Sequence, residues 1–280
     1  MLTTELPAAL VEHARRFYTQ GGAPAAPRRA ATVLLLREAG TTAESFEVYA
    51  IRRAATMAFA AGMYAFPGGG VDPRDEGAAL RWTGPSPEIW GERLGVPPAE
   101  AQAVVCAAVR EVFEESGVLL AGPDEATVVR DVSTAEWETT RAALAAHETN
   151  FAEVLSERGL TLRADLLAPW GRWLTPEFEP RRYDTWFFLA RLPEGQHTRR
   201  VGDEADHAAW LCPDRAGELP MLPPTRITLV ELSRYRSIDA AMGARRDART
   251  VVMPRVDLAT GHLVIDLPGG DPREPVDVAR

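Results

Sequence analysis

Apolar and polar positions alternate along this chain at two periods, and the change of period marks its elements. The longest helical pattern runs from about Ala99 to Ser116. Within it Val105, Cys106, Val109, Val112 and Phe113 fall on one side of a helix that advances ~100° per residue. Gly117 follows in the position that favours a left-handed cap and stops the helix. Leu6–Tyr18 reads as an amphipathic helix, and the Gly/Ala/Pro stretch Gly21–Pro27 as a linker. Ala31–Leu36 and Phe46–Ile51 are rich in β-formers and predict a hairpin or two neighbouring strands. The glycine-rich run Phe66–Pro73 suits neither helix nor strand and predicts a turn.

Glu76–Pro98 carries Pro85, Pro87, Pro97 and Pro98 with Trp82 and Trp90, which predicts a short helical insertion. Val118–Leu120 reads as a strand leaving the long helix, and Asp124–Arg158 as mostly helical. Tyr183–Leu192 and Ala208–Leu211 read as strands, and Thr225–Tyr235 as a helix that starts behind Pro223-Pro224. Val251–Asp257 and His262–Leu267 predict a terminal hairpin around Thr260-Gly261. This succession has no internal repeat and no βαβαβ run, and predicts an α/β (α+β) fold: a mixed sheet with helices on both faces. Residues 1–27 are expected to form a helix and linker. Residues 28–280 are expected to form one domain with an insertion at about 76–98 and a hairpin at 250–268.

Composition narrows the function more than the fold. The 280 residues are 46% hydrophobic and 25% charged, a globular balance. No apolar run approaches the ~18–20 residues of a membrane span, and the N-terminus has no secretory stretch, so a cytoplasmic protein without a membrane partner is expected. Cys106 and Cys212 lie far apart and support neither a disulfide framework nor a zinc knuckle. A net charge of −9 argues against a nucleic-acid partner. All 31 basic residues are arginine, which excludes Schiff-base and P-loop lysine chemistry. No Gly-x-Ser-x-Gly elbow, GxGxxG or HExxH occurs.

The chemistry concentrates in Arg110-Glu111-Val112-Phe113-Glu114-Glu115-Ser116-Gly117-Val118. Glu111, Glu114 and Glu115 stand at i, i+3 and i+4, so three carboxylates share one helical edge opposite the apolar stripe. Such a cluster repels itself by about a few tenths of a kcal/mol per pair, a cost that a hard divalent cation converts into affinity. Considered alone, the helix reads as well as a solvated acidic face with an Arg110–Glu114 ion pair.

Upstream stand Pro67-Gly68-Gly69 and then Asp75. Together these segments resemble the Nudix box, G-x5-E-x7-R-E-U-x-E-E-x-G-U with U aliphatic. Arg110–Val118 match its second half throughout, and Gly69 matches its opening glycine. Asp75 stands where the box has glutamate, and Glu76 offers the alternative alignment from Gly70. Between Asp75 and Arg110 lie 34 residues rather than seven, so the box is split, and its halves still meet if the insertion loops outward.

A split box is similar to the coenzyme A diphosphatase-like branch of peroxisomal type. That branch also looks like Arg52-Arg53-Ala54-Ala55, Gly62–Gly69 (its G-x3-F-P-G-G ending), Trp173–Glu177 and Arg181–Phe188. Its signature has arginine where this chain has Ala58.

The resemblance implies a Nudix-type α/β/α sandwich that hydrolyses a diphosphate in a nucleoside diphosphate linked to another group. Coenzyme A or acyl-CoA is the expected substrate. NADH, ADP-ribose or nucleotide sugars are the alternatives, and a non-catalytic nucleotide-binding module is a third. It further implies Mg2+ or Mn2+ on Glu111, Glu114 and Glu115, with Glu111 either ligand or base, and Arg110 holding the glutamates. Gly68, Gly69, Arg52, Arg181 and Arg182 are the expected substrate-binding residues, and Glu177, Glu179 or Glu204 a base on a later loop. A small nucleotide is the expected partner, and a homodimer is compatible with the superfamily.

Overall fold

The computed structural model describes residues 1–40, 45–54, 60–76, 80–199, 205–215 and 217–268. The chain opens with strand β1 (Leu2–Glu5) and helix α1 (Ala8–Thr19). The strands β2 (Arg28–Glu38) and β3 (Phe46–Arg53) follow, then the short β4 (Tyr64–Ala65) and β5 (Gly68–Gly70). A 3-10 turn at Pro73–Asp75 leads into β6 (Trp82–Thr83), α2 (Pro87–Leu94) and the central helix α3 (Pro98–Ser116). After β7 (Ala121–Gly122) come α4 (Ala135–Ala145), α5 (Phe151–Glu157) and β8 (Thr161–Arg163). The long strands β9 (Leu167–Leu174), β10 (Tyr183–Arg191) and β11 (Ala205–Leu211) precede α6 (Pro223–Leu232) and α7 (Ile238–Met242). The described part closes with β12 (Val251–Val252), β13 (Arg255–Asp257) and β14 (His262–Ile265).

The main sheet runs β11-β3-β2-β10-β9-β12, with β4 on β3 and β5 on β2. It is mixed: β10 runs parallel to β2 and β12 parallel to β9, while β3, β9 and β11 pair antiparallel. The period-2 alternation of β2 decides the two cores. Ala31, Val33 and Leu35 enter one apolar cluster with α2, α3, α4 and α5. Leu34 and Leu36 enter the other with α6, α7, β1 and β14. Helices thus cover both faces, as the element succession predicts.

The sheet also opens where the site forms. β2 pairs with β3 only over Leu36–Glu38, and its first half pairs instead with β5, with Ala30 opposite Gly70 and Thr32 opposite Gly68. The far half of β3 pairs with β4, with Ile51 opposite Ala65. The two long strands therefore diverge, and residues 64–70 fill the gap as a wedge against α3.

Several expectations are corrected. The insertion does not loop outward: Trp90 and Leu94 of α2 are fully buried, and Trp186 Nε1 donates to the Leu94 carbonyl at 3.2 Å. α3 is consequently buried nearly all round instead of presenting a solvated edge. Val118–Leu120 is buried but forms no strand, because its partner is a side chain. Leu119 N donates to Gln196 Oε1 at 2.8 Å, and Gln196 Nε2 returns a bond to Leu119 O at 2.9 Å. Residues 124–134 are irregular, held by turns on Asp124 and Asp131, so helix occupies only part of Asp124–Arg158. β12 leaves the terminal hairpin to extend the main sheet beside β9, and β14 pairs with β13 and also with β1.

Candidate active site

Arg110, on the buried middle of α3, joins the two halves of the split box. Its Nη1 donates to Glu111 Oε1 at 2.8 Å and to Glu114 Oε1 at 3.2 Å. Its Nη2 donates to the Gly70 carbonyl at 2.8 Å and to Asp75 Oδ2 at 3.2 Å, and Nε reaches the same oxygen at 3.3 Å. Asp75 rather than Glu76 therefore faces the helix. Asp75 is only 3% exposed, and it also accepts from Asp72 N and from Cys106 Sγ. Glu76 turns away and pairs with Arg29 at 3.0 Å.

The glycine turn lies directly on the acidic edge. Gly68 N donates to Glu115 Oε2 at 2.8 Å. A Cβ on Gly69 would come within 2.5 Å of Glu111 Oε1 and 2.7 Å of its Cδ, so glycine is required by the close approach and not by a turn angle. Gly69→Ala is accordingly expected to displace the Glu111 carboxylate while costing little fold stability, since only the end of a side chain must move. Hydrolysis should fall about 10²-fold with the urea midpoint nearly unchanged. Steady-state kinetics beside a denaturation curve check both halves of that expectation.

Electrostatically the site is short of positive charge. Among the described residues, Arg110 is the guanidinium that Asp75, Glu111 and Glu114 share. Burial pushes the Glu111 carboxyl up to about 7, with Arg110 opposing and Glu114 reinforcing the shift. Burial also raises Glu114, against Arg110 and, more weakly, the His147 imidazole. Burial acts against the Arg110 charge, yet Glu111, Asp75 and Glu114 hold that guanidinium above its ordinary value.

The oxygen donors and the excess negative charge fit a hard divalent cation. Among the described residues no three acidic, histidine or cysteine side chains already converge as a ligand cluster. Glu111 and Glu114 turn to Arg110, and Glu115 to the Gly68 amide. Ligation would exchange some of these bonds for metal bonds.

The C-terminus of α3 is fastened from outside the box. Gly117 takes φ +71°, and Arg199 Nη1 donates to its carbonyl at 3.0 Å. Arg141 Nη1 donates to the Glu114 carbonyl at 3.0 Å, and Glu138 ion-pairs with both arginines. The last turn of α3 has no basic residue of its own, so these two charges complement its dipole.

Other expected site residues lie elsewhere. Strand alternation places Arg52 on the face of Val48 and Ala50, away from α3, where it pairs with Asp206 at 2.7 Å. Arg182 is buried and donates to the carbonyls of Ala25 and Thr175, a structural tie rather than a phosphate contact. Arg181 is exposed, and the neighbours of Glu177 and Glu179 are Tyr18 and His13 of α1. Glu204 and Ala58 fall outside the described residues.

What residue-by-residue reading overlooks is a second layer from α4. Arg74 Nη2 donates to Asp72 Oδ2 at 2.6 Å, while its Nη1 reaches the carbonyls of His147 and Thr149. The capping carboxylate Asp72 was a local signal in the sequence; the distant His147 had none.

Comparison with known proteins agrees with this geometry. The family model described as NUDT19 Nudix domain matches residues 91–222. A crystal structure of a NUDIX hydrolase from Alicyclobacillus acidocaldarius superposes with a TM-score of 0.67 at 31% identity, covering 80% of this chain and 98% of that one. The chain is 29% identical over 198 residues to a protein named as nudix hydrolase 7 in Caenorhabditis elegans, covering 69% of this chain and 57% of the relative. It is 27% identical over 263 residues to the acyl-coenzyme A diphosphatase NUDT19 of Gallus gallus, covering 76% of this chain and 69% of the relative. It thus spans a little over half the length of the nematode relative. With the split box closed through Arg110 and an α/β/α sandwich around it, the chain belongs to the Nudix hydrolase superfamily.

Proposed function

We propose that this chain hydrolyses the diphosphate of coenzyme A or an acyl-CoA, releasing an adenosine bisphosphate and a phosphopantetheine. The observation that carries the reading is the Arg110 hub, which holds Asp75, Glu111 and Glu114 in one buried, negatively charged group beside a glycine turn. The substrate class rests on the Gly62–Gly69 signature and on relatives whose name is acyl-coenzyme A diphosphatase.

Glu111, Glu114 and Glu115 would hold Mg2+ or Mn2+, which when bound neutralises phosphate charge and acidifies a water. The chain's own part is arrangement. Arg110 keeps the carboxylates from swinging apart, and Asp75 fixes Arg110. Gly68 and Gly69, by carrying no side chain, let the turn lie directly against β2 and the acidic edge, where Gly68 N holds Glu115. Glu111, held by Arg110 Nη1 at 2.8 Å, would serve either as one of these ligands or as the group that accepts a proton from the attacking water.

The test is a substrate panel with Mg2+ or Mn2+: coenzyme A, acyl-CoA, NADH, ADP-ribose and a nucleotide sugar, products separated by chromatography. The expected result is highest kcat/KM for a coenzyme A species. A preference for NADH or ADP-ribose would move the substrate and keep the chemistry. Failure to cleave any of them, with nucleotides still bound, would leave a binding module.

A further inference from the structure

We propose that His147 contacts the substrate, donating from Nε2 to a phosphate oxygen of the diphosphate beside Glu114; this rests on the hydrolase reading above. His147 lies just past the end of α4, where the Glu148 amide reaches back to the Ala143 carbonyl at 2.8 Å. In such an ending the left-handed residue is ordinarily glycine, yet His147 occupies it with φ +56°. A side chain kept in a conformation that glycine would adopt more cheaply points to a use for that side chain.

The imidazole is placed by the box itself. Arg74 Nη1 donates to the His147 carbonyl at 3.1 Å, and Nη2 lies 2.9 Å from Nδ1. Asp72, which grips Arg74 through both its oxygens, stands 3.3 Å from the same Nδ1. A guanidinium can only donate, so in its contact with Arg74 Nδ1 is the acceptor, and the proton of the ring then sits on Nε2. Nε2 is in that arrangement an N–H donor, and among the described residues it has no hydrogen-bond partner. The side chain is 67% exposed and borders the same small recess as Asp75 and Arg110.

Elimination points the same way. A diphosphate entering an acidic site needs donors as well as a cation. The guanidinium of Arg110 is engaged by Gly70, Asp75, Glu111 and Glu114. Arg141 and Arg199 are committed to Glu138 and to carbonyl groups at the end of α3 and in the segment before α4. Arg74 is committed to Asp72 and to the backbone it clamps. The exposed His147 imidazole supplies a donor that none of these groups engages.

The experiment compares His147→Asn and His147→Gln in the full chain, reading melting temperature, kcat and KM for the best panel substrate, and ADP affinity by calorimetry with Mg2+. Asparagine tolerates the left-handed backbone and retains an atom near Nδ1 but none near Nε2. H147N is expected to melt with the wild type while ADP affinity and kcat/KM fall about tenfold, the loss of one hydrogen bond to a charged group. H147Q, whose amide nitrogen reaches the Nε2 position, is expected to recover part of both. If H147N binds ADP and turns over within twofold of wild type, His147 is only a helix cap and the proposal is overturned. A wild type inert toward every dinucleotide would instead overturn the hydrolase reading, and the ADP affinities of the variants would still decide His147.

Discussion

Glu114→Gln is expected to leave a folded protein whose metal-dependent hydrolysis is reduced by at least ~10²-fold, the scale on which removing one charge-stabilising group acts. The fold should tolerate the change for a specific reason. Glu114 shares Arg110 with Asp75 and Glu111, so three carboxylates face one guanidinium, and neutralising one of them relieves repulsion. Its bond to Arg110 Nη1 is, at 3.2 Å, longer than the 2.8 Å bond that Glu111 makes to the same nitrogen, and a glutamine oxygen can still accept it. Burial already disfavours the ionised form of Glu114, so the metal-free variant should melt no lower than wild type. The difference should appear with the cation. Mg2+ that binds only the folded chain raises its melting temperature, and the variant should lose most of that rise along with turnover. Turnover in purified Glu114→Gln equal to that of wild type would remove the carboxylate edge from the chemistry.

The contrast between what the residues announced and what they concealed follows from range. The long helix, its Gly117 cap and the β2 and β3 strands are encoded by neighbours within a few positions, and all form where the patterns place them. β9 and β1 carry little strand signal of their own. β9 alternates poorly, with Pro169 before Trp170 and Gly171-Arg172 between its tryptophans, and becomes a strand because β10 pairs along it. β1 is four residues that find β14 at the opposite end of the chain. Val118–Leu120 shows the reverse failure, a β-rich run whose backbone is satisfied by the Gln196 amide. At the site, the second half of the box is a contiguous motif and was legible. That Asp75 and not Glu76 completes it could be decided only by which carboxylate reaches Arg110 across an inserted α2. Where Arg52 stands is not legible locally, because strand parity, which sends it to the face away from α3, depends on which residues of β3 meet that helix.

Arg110→Met should produce the largest loss of stability of any single change at the site, about 3–5 kcal/mol in chelator, read from the urea midpoint. Methionine fills much of the volume, so the cost is electrostatic rather than a cavity. Asp75, Glu111 and Glu114 would remain in a buried group without their shared counter-charge, and the Gly70 carbonyl would lose its 2.8 Å donor. Because Arg110, together with the Gly68 amide on Glu115, ties the glycine turn to the helix, the damage should centre on residues 68–75, where amide exchange should accelerate most. Arg110→Lys should fall between, since one ammonium cannot reach Gly70, Asp75, Glu111 and Glu114 together. Adding Asp75→Asn to the methionine variant should recover part of the loss, because it removes one of the stranded charges; additive effects would show the two residues to be uncoupled. Saturating Mg2+ should stabilise Arg110→Met by more than it stabilises wild type, because the cation would then replace the guanidinium charge that Asp75, Glu111 and Glu114 share. A methionine variant as stable as wild type in chelator would mean that packing and the remaining contacts, such as Gly68 N on Glu115, hold the split box together, with the arginine at its centre contributing nothing to its closure.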